Sequence, residues 1–345
     1  MSNDKSPALD RSFTGSGALL RDEVENIQRA RILSAMVEVA AEQGYIGAAV
    51  APVVARAGVS RRTFYELFEG REDCFLAAFE WGVAQARAAM VEAYDSQRSW
   101  REQVRYALAA LLALLDAEPE LARVCVIETL GAGRLVLARR AQVLDELIAA
   151  LDTGAPRARG ASGKPLLTAE GVIGGAFSVI HGRLLEQGVT DKQRVAGEAD
   201  DDPAPLIQLH GQLMALIALP YLGPRAAGEE LTRKAPEVPL RESVRASGNG
   251  HPRLGASGRL LERLDMRLTY RTVRCLLFIG EHPGSSNREI AQGADIADEG
   301  QASKLLSRLT RVGLVANSKP HGPGYPNYWV LTPHGEQVLS TVRGP

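Results

Sequence analysis

Apolar residues recur at near-helical spacing along most of the chain, and the runs are separated by glycine, proline or clusters of polar residues. In the first run, from about 23 to 43, the recurring residues are Ile27, Ile32, Met36, Val39 and Ala40. Gly44 follows this run and predicts the end of the helix. Further helices are predicted over about 71–94, 99–116, 118–130, 134–152, 167–187 and 204–219. The pattern therefore predicts a mostly α-helical protein.

Two short helices joined by a tight turn are predicted between about 49 and 68. The apolar residues that stripe the first helix are Val50, Val53, Val54 and Ala57. Pro52 fits the opening turn of this helix, where its missing N–H would have no partner in any case. Gly58-Val59-Ser60 forms the turn, and Ser60 is expected to cap a second helix that runs from about 61 to 68.

The second short helix has two chemically different faces. Phe64, Leu67 and Phe68 share one face, at the i, i+3 and i+4 spacing of a packed surface. Arg61, Arg62 and Tyr65 share the other face. Arginine binds phosphate and guanine with two hydrogen bonds, and a tyrosine hydroxyl can bond to phosphate oxygen. The pattern is typical of a helix-turn-helix DNA reader, and the alternative is a solvated face whose arginines pair with Glu66 and Glu69.

The segment GYIGAAVAPVVARAGVSRRTFYELFEGREDCFLAAF resembles the DNA-binding domain of the TetR family, over about 27–85. In that family a glycine ends the first helix, an Ala-x-x-Ala-Gly-Val-Ser/Thr stretch makes the turn, and a tyrosine and a phenylalanine close the recognition helix. The matching positions here are Gly44, Val54 to Ser60, Tyr65 and Phe68. The resemblance implies DNA contact, and the residues expected to make it are Ser60, Arg61, Arg62, Thr63, Tyr65 and Arg71.

The segment departs from the TetR pattern at two places. The family often has an aromatic residue and a histidine between its tyrosine and phenylalanine, where this chain has Glu66 and Leu67. It often caps its second helix with Thr or Ser, where this chain has Ala48 and Ala49. Glu66 follows Arg62 by four residues, so the sequence predicts partial neutralisation of that arginine.

The region from about 79 to 222 is rich in alanine and leucine and holds no recognisable catalytic motif. GASGKP at 160–165 departs from a phosphate-binding loop at two required positions, which Ala158 and Pro165 occupy. The sequence has no defensible Ser-His-Asp order, no GxGxxG and no HExxH. We therefore expect no enzyme activity, no cofactor and no metal.

The TetR resemblance implies that this region binds a small-molecule effector and forms a homodimer through its last two helices, here 167–187 and 204–219. Small residues in GVIGGAFSVIHGRLL, at 171–185, would let two helices approach closely. A dimer also fits DNA reading, because two recognition helices must span one helical turn, about 34–36 Å. His181 and His210 are candidate ligand-binding residues, and the alternative is that both are packed residues of the core.

Between 223 and 258 glycine, proline and charged residues follow no sustained period, which predicts an interdomain linker. The order helix, helix, helix, hairpin, helix is predicted over 259–345, with a capping box at Ser286 and Glu289. Thr332 is expected to cap the last helix. LLSRLTRVGLVANSK and NYWVLTPHGEQVL resemble the MarR family of winged helix-turn-helix proteins.

The third helix of this C-terminal unit resembles a second DNA reader. Its candidate contacts are Gln301, Ser303, Lys304 and Arg308, and Lys319 is the candidate in the wing. Asp298 and Glu299 would repel phosphate near the start of that helix, and the wing tip HGPGYPN has no lysine or arginine. The alternative is that this unit binds only protein or forms a dimer.

Composition narrows the function further. The chain has 345 residues with 40 Lys+Arg and 41 Asp+Glu, so any DNA-binding surface must be local. Three cysteines without paired spacing, and a polar start that is unlike a signal peptide, favour reduced thiols in the cytoplasm. The longest apolar stretch, near 213–222, is too short to cross a membrane.

The sequence therefore predicts a three-helix helix-turn-helix domain and an all-helical ligand and dimerisation domain, followed by an α+β winged helix domain. The predicted boundaries are a disordered arm at 1–22, then 23–78, 79–222, the linker at 223–258, and 259–345. The expected function is a cytoplasmic, homodimeric, ligand-responsive repressor that binds double-stranded DNA and an unidentified effector. Two alternatives remain open: a helical small-molecule-binding enzyme, and an interaction protein with one degenerate DNA reader.

Overall fold

The structure is a computed structural model that describes residues 13–93, 98–155, 169–195, 204–238, 270–296, 298–318 and 327–343. These residues divide into two compact units. The first holds the described residues within Met1–Ile32, Val54–Leu67 and Arg253–Pro345, and the second holds those within Leu33–Val53 and Phe68–Pro252. As predicted, the chain is mostly helical.

The helices of the N-terminal part are α1 (Phe13–Gly47), α2 (Val50–Ala57) and α3 (Arg61–Leu67). Helix α1 is interrupted at Gly44, whose φ of 74° and ψ of 166° are not helical, at the position predicted for its end. The arm predicted to be disordered overlaps this helix, because α1 begins at Phe13; residues 1–12 lie outside the described residues. A positive φ at Gly44 favours glycine, so the break in the helix is fixed by residue type.

The described residues of the second unit are mostly helical, and an apolar core lies among them. The helices of this unit that follow α3 are α4 (Arg71–Ala93), α5 (Trp100–Ala117), α6 (Pro119–Val126), α7 (Arg134–Gly154), α8 (Ala169–Val195), α9 (His210–Leu222) and α10 (Pro224–Thr232), with 3₁₀ turns at Glu128–Gly131 and Leu206–Leu209. Asp116 accepts hydrogen bonds from the N–H groups of Leu206 and Ile207, at 2.6 and 2.9 Å. The carboxylate thereby fixes the turn that leads into α9.

Helix α10 corrects one sequence prediction, since it lies within the stretch predicted to be a linker. Pro224 stands at the start of the helix, where a proline is tolerated. Glu230 of α10 is completely buried and is bound by Arg101 and Arg105 of α5. The carbonyl of Lys234 accepts a further bond from Arg105 at 2.7 Å. The charges that made the segment look like a linker therefore anchor it to the helical core.

The C-terminal elements are α11 (Tyr270–Glu281), α12 (Asn287–Gly293), α13 (Glu299–Arg311), β1 (Val315–Asn317), β2 (Trp329–Leu331) and α14 (Pro333–Arg343). The strands pair antiparallel, with Val315 opposite Leu331 and Asn317 opposite Trp329. The predicted capping box of Ser286 and Glu289 is present. The Oγ1 of Thr332 accepts the N–H of Gly335 at 3.0 Å, which is the cap expected there. Lys319 and residues 321–326 of the wing tip lie outside the described residues.

None of the helices in the described residues is long and apolar enough to span a membrane. Within the same residues, no three His, Cys, Asp or Glu side chains are grouped as a metal site would require.

Candidate nucleic-acid interface

The turn before α3 is held by local hydrogen bonds. Gly58 has a φ of 64°, which favours glycine, and the N–H of Val59 donates to the carbonyl of Val54 at 3.1 Å. The Oγ of Ser60 accepts the N–H of Thr63 at 3.0 Å, and the two hydroxyls bond to each other at 2.9 Å. Ser60 is thus the N-cap of α3, and this cap fixes where the first turn of the helix lies.

The side chains of α3 and of Phe68, which follows it, divide largely as the spacing predicts, but Leu67 is only half-buried. Phe64 and Phe68 are buried, at 0% and 2% exposure. Arg61 and Arg62 are exposed, and Tyr65 keeps 59% of its surface in solvent while its ring packs edge-on against Phe64. A seven-residue helix therefore holds two guanidinium groups and a phenol on its outer face.

The two arginines are not equivalent. Arg62 Nε donates to the carboxylate of Glu66 at 2.8 Å, and this hydrogen bond raises the pKa of Arg62. Both side chains of that pair are mostly exposed, so water weakens their attraction. Among the described residues, Arg61 has no carboxylate within ion-pairing distance. Arg61 is consequently the more available of the two for a phosphate or a base.

Arg71, at the start of α4, already has protein partners. Its guanidinium lies 4.3 Å from the centre of the Tyr45 ring, and its Nη1 donates to the carbonyl of Ile46 at 3.3 Å. These contacts orient the group and leave other N–H donors for a ligand.

The C-terminal candidates lie on the exposed face of α13. Gln301, Ser303, Lys304 and Arg308 are exposed. Ala302, Leu306 and Leu309 form the opposite, buried face. Lys304 and Arg308 stand one turn apart, and neither side chain has an ion-pair partner in the part of the chain that the structure describes. Asp298, expected to repel phosphate, accepts the N–H of Gln301 at 2.8 Å and caps the helix.

A large cavity lies inside the second unit, with a volume of 890 Å³. Helices α4, α5, α7 and α8 supply most of its wall, which is largely apolar and includes Leu108, Leu111, Leu144, Ile173 and Phe177. Charged groups also line it: Arg87, Arg140 and Glu146, the first and last of which bind each other. A volume near the upper end of the range for small-molecule sites makes this a candidate ligand cavity.

Neither histidine proposed from the sequence lines this cavity. His210 is buried, its Nε2 lies 3.0 Å from the carbonyl oxygen of Arg105, and burial lowers its pKa. His181 lies half-buried on α8. Cys125 does line the cavity, and burial raises the pKa of its thiol to about 12, so it stays protonated. The sequence of α4 and α7 does not indicate the cavity. Apolar residues that line a cavity recur at the same helical spacing as apolar residues that fill a core.

A capped short helix that follows a glycine turn and exposes two arginines and a tyrosine has the form of a helix-turn-helix motif. Comparison with known proteins agrees: residues 32–78 match the family described as bacterial regulatory proteins, tetR family. The matched segment includes the turn and α3, so residues 32–78 are similar to the DNA-binding domain of that family.

One curated relative is the fatty acid metabolism regulator protein of Bacillus subtilis (strain 168), which is 30% identical over 98 residues. The match covers 28% of this chain. It covers 50% of the relative, so this chain spans about half the length of that protein. The crystal structure of the transcriptional regulator FadR from Bacillus subtilis in complex with stearoyl-CoA is similar at 21% identity and a TM-score of 0.43, covering 54% of this chain and 96% of the other. The structure of the fatty acid degradation regulator FadR from Bacillus halodurans is similar at 20% identity and a TM-score of 0.44. This match covers 55% of this chain and 94% of the other.

Proposed function

We propose that this protein is a transcriptional regulator that binds DNA as a homodimer in the cytoplasm and represses until an effector binds. The observation that carries the proposal is the outer face of α3, which lies within the segment matched to the tetR family. Arg61 and Arg62 supply the donors for phosphate or guanine, and Tyr65 adds a hydroxyl. Ser60 and Thr63, at the start of α3, and Arg71, at the start of α4, are the other proposed DNA contacts.

The test of this function is direct. Binding sites are mapped across the genome, and purified protein is then footprinted on the mapped duplexes at several salt concentrations. A specific regulator protects a defined sequence and loses affinity as salt rises, because its cationic side chains release counterions from DNA. Uniform weak binding to all duplexes would contradict the proposal.

The dimer is proposed to form through α8 and α9. One face of α8 carries small or exposed residues at helical spacing: Gly171, Gly174, Ser178, Gly182 and Leu185. A Cβ added at Gly174 or Gly182 would meet nothing within 4 Å, so this face is open to another helix. Leu219 of α9 is 45% exposed. Such a surface lets two copies of α8 approach closely and bury apolar area.

The effector is proposed to occupy the 890 Å³ cavity. Its apolar wall suits a long hydrocarbon chain, and Arg87 and Arg140 suit an anionic group at the end of that chain. The name of the Bacillus subtilis relative, a fatty acid metabolism regulator, accords with a fatty acyl ligand. An effector that prefers one arrangement of the dimer changes DNA affinity by its difference in affinity for the two arrangements.

Filling the cavity is expected to abolish the response to ligand. Ala176 lies on the cavity wall and is 6% exposed, so Ala176→Phe places a ring in the space that a hydrocarbon chain would occupy. We expect DNA binding to persist while a long-chain acyl ligand no longer releases DNA or raises the melting temperature. The control is Ala88→Phe, at an exposed position of α4 outside the cavity. An unchanged ligand response in Ala176→Phe would contradict this assignment of the cavity.

The C-terminal unit is proposed to be a MarR-like winged helix that also binds DNA, through Gln301, Ser303, Lys304 and Arg308, with Lys319 in the wing. Lys304 and Arg308 are exposed and have no ion-pair partner among the described residues, which supports this over a purely protein-binding role. Replacing both Lys304 and Arg308 with alanine is expected to reduce the slope of log K against log salt by about 2, one per phosphate contact. The control is Arg288→Ala, at an exposed residue of α12 that lies 4.0 Å from Glu299. An unaltered slope in the double variant would favour a protein-binding role.

A further inference from the structure

Helix α1 contributes two residues to the core of the C-terminal elements. Val24 and Ile27 are 3% and 2% exposed, and they belong to one apolar cluster with residues from α11 to α14. The C-terminal members of the cluster include Val273, Leu276, Ile290, Leu306, Leu309, Trp329, Val338 and Leu339. Val24 and Ile27 stand at i and i+3, so they present one face of α1 to that core. A small domain buries only a limited fraction of its surface, so two added core residues contribute noticeably to the stability of the C-terminal elements.

The next turn of α1 contacts the helix-turn-helix. The Nη1 of Arg29 donates to the carbonyl of Leu67, the last residue of α3, at 3.3 Å. A cation at that end of a helix is favourable, because the terminal carbonyls carry partial negative charge. Arg31 lies beside the turn, with its Nη2 3.0 Å from the position that a Cβ on Gly58 would take. Residues 24–31 therefore touch both the C-terminal core and the two ends of the α3 reader.

Residues 24–31, α3 and α13 all belong to the same compact unit. Each reader has few available cations on its own: Arg61 beside the paired Arg62 on α3, and Lys304 with Arg308 on α13. Two weak DNA contacts that are held together act at a high effective concentration, so the second contact forms readily once the first has formed. A buried contact that joins the two readers would therefore strengthen their combined binding to DNA.

We propose that residues 24–31 of α1, named here the coupling segment, hold the α3 and α13 readers together so that both bind one stretch of double-stranded DNA. The inference rests on the proposed function, because it requires both readers to bind DNA. It adds that the operator is extended, with a part contacted by α3 and a part contacted by α13. Loss of the buried apolar contact uncouples the second part from the first.

The test uses the full chain, a mapped duplex and the variant Ile27→Asp, which puts a charge into the C-terminal core. The expected result is a footprint shortened to the part contacted by α3, and a salt slope lowered by about 2, as for the Lys304 and Arg308 double variant. In the Ile27→Asp background, that double variant should have no further effect, because coupled sites are not additive. The matched control is Asn26→Asp, which adds the same charge at an exposed position of the same turn.

The measurements distinguish a failure of the coupling from a failure of the proposed DNA-binding function. A full-length footprint in Ile27→Asp, or additive effects of the two changes, would overturn the coupling while leaving DNA binding intact. Wild-type protein that binds no specific duplex would overturn the proposed function itself. If Ile27→Asp fails to fold by circular dichroism, the milder Val24→Ala/Ile27→Ala variant is measured in its place, and it is expected to shorten the footprint in the same way.

Discussion

Replacing both Arg61 and Arg62 with alanine is expected to abolish specific DNA binding. Arg61 is exposed and has no ion-pair partner among the described residues, so its guanidinium is free to bind a guanine edge or a phosphate. Losing one such contact to a base lowers affinity by about 5- to 160-fold. Losing two cations lowers the salt slope by about 2. Both side chains are exposed, so the fold should be unaffected. Fluorescence anisotropy titrations at several salt concentrations measure both quantities.

The single variants refine this expectation. Arg61→Ala should weaken binding more than Arg62→Ala, because Arg62 is bound to Glu66 at 2.8 Å in the free protein. Glu66→Gln removes that competing carboxylate and should strengthen binding. Arg225→Ala is the control, since this arginine is 96% exposed on α10 and forms a similar i, i+4 pair with Glu229. Equal loss in Arg225→Ala and Arg61→Ala would mean that the protein binds DNA through general charge only.

The elements around α3 could be predicted because local chemistry decides them. Gly44 and Gly58 have positive φ, where glycine is favoured, and Ser60 caps the helix that follows. The spacing of Phe64 and Phe68 then fixes which face of α3 is buried. None of these features depends on residues far away in the sequence. A single sequence therefore contains the information needed to place the α3 arginines on an exposed surface.

Features that depend on distant residues could not be predicted. The sequence predicts a linker where α10 lies, because proline and charged residues look alike in a linker and in a helix bound by ion pairs. The partners of Glu230 lie more than a hundred residues earlier, 125 positions for Arg105, and nothing in the sequence indicates that pairing. The cavity is a similar case, because a lining leucine such as Leu111 has the same spacing as a core leucine. The coupling segment likewise appears in the sequence only as one more stretch of amphipathic helix.

Removing the buried carboxylate of α10 is expected to destabilise the second unit strongly. Glu230 is 0% exposed and binds both Arg101, at 2.5 Å, and Arg105, which is itself 2% exposed. Glu230→Ala leaves the Arg105 guanidinium buried without its counter-charge, which costs about 3–5 kcal/mol of unfolding free energy. Urea denaturation followed by circular dichroism measures the change. Glu229→Ala is the matched control, since Glu229 is 51% exposed and its loss should cost less than about 1 kcal/mol.

The double variant Arg105→Met/Glu230→Leu distinguishes the cost of an unpaired charge from the value of the pair. An apolar pair of similar size removes both charges from the interior, so it should recover most of the stability that Glu230→Ala loses. Failure to recover would mean that other bonds of Arg105, such as the one to the Lys234 carbonyl at 2.7 Å, hold α10 in place. If Glu230→Ala itself unfolds at the wild-type urea concentration, the buried ion pair does not stabilise α10.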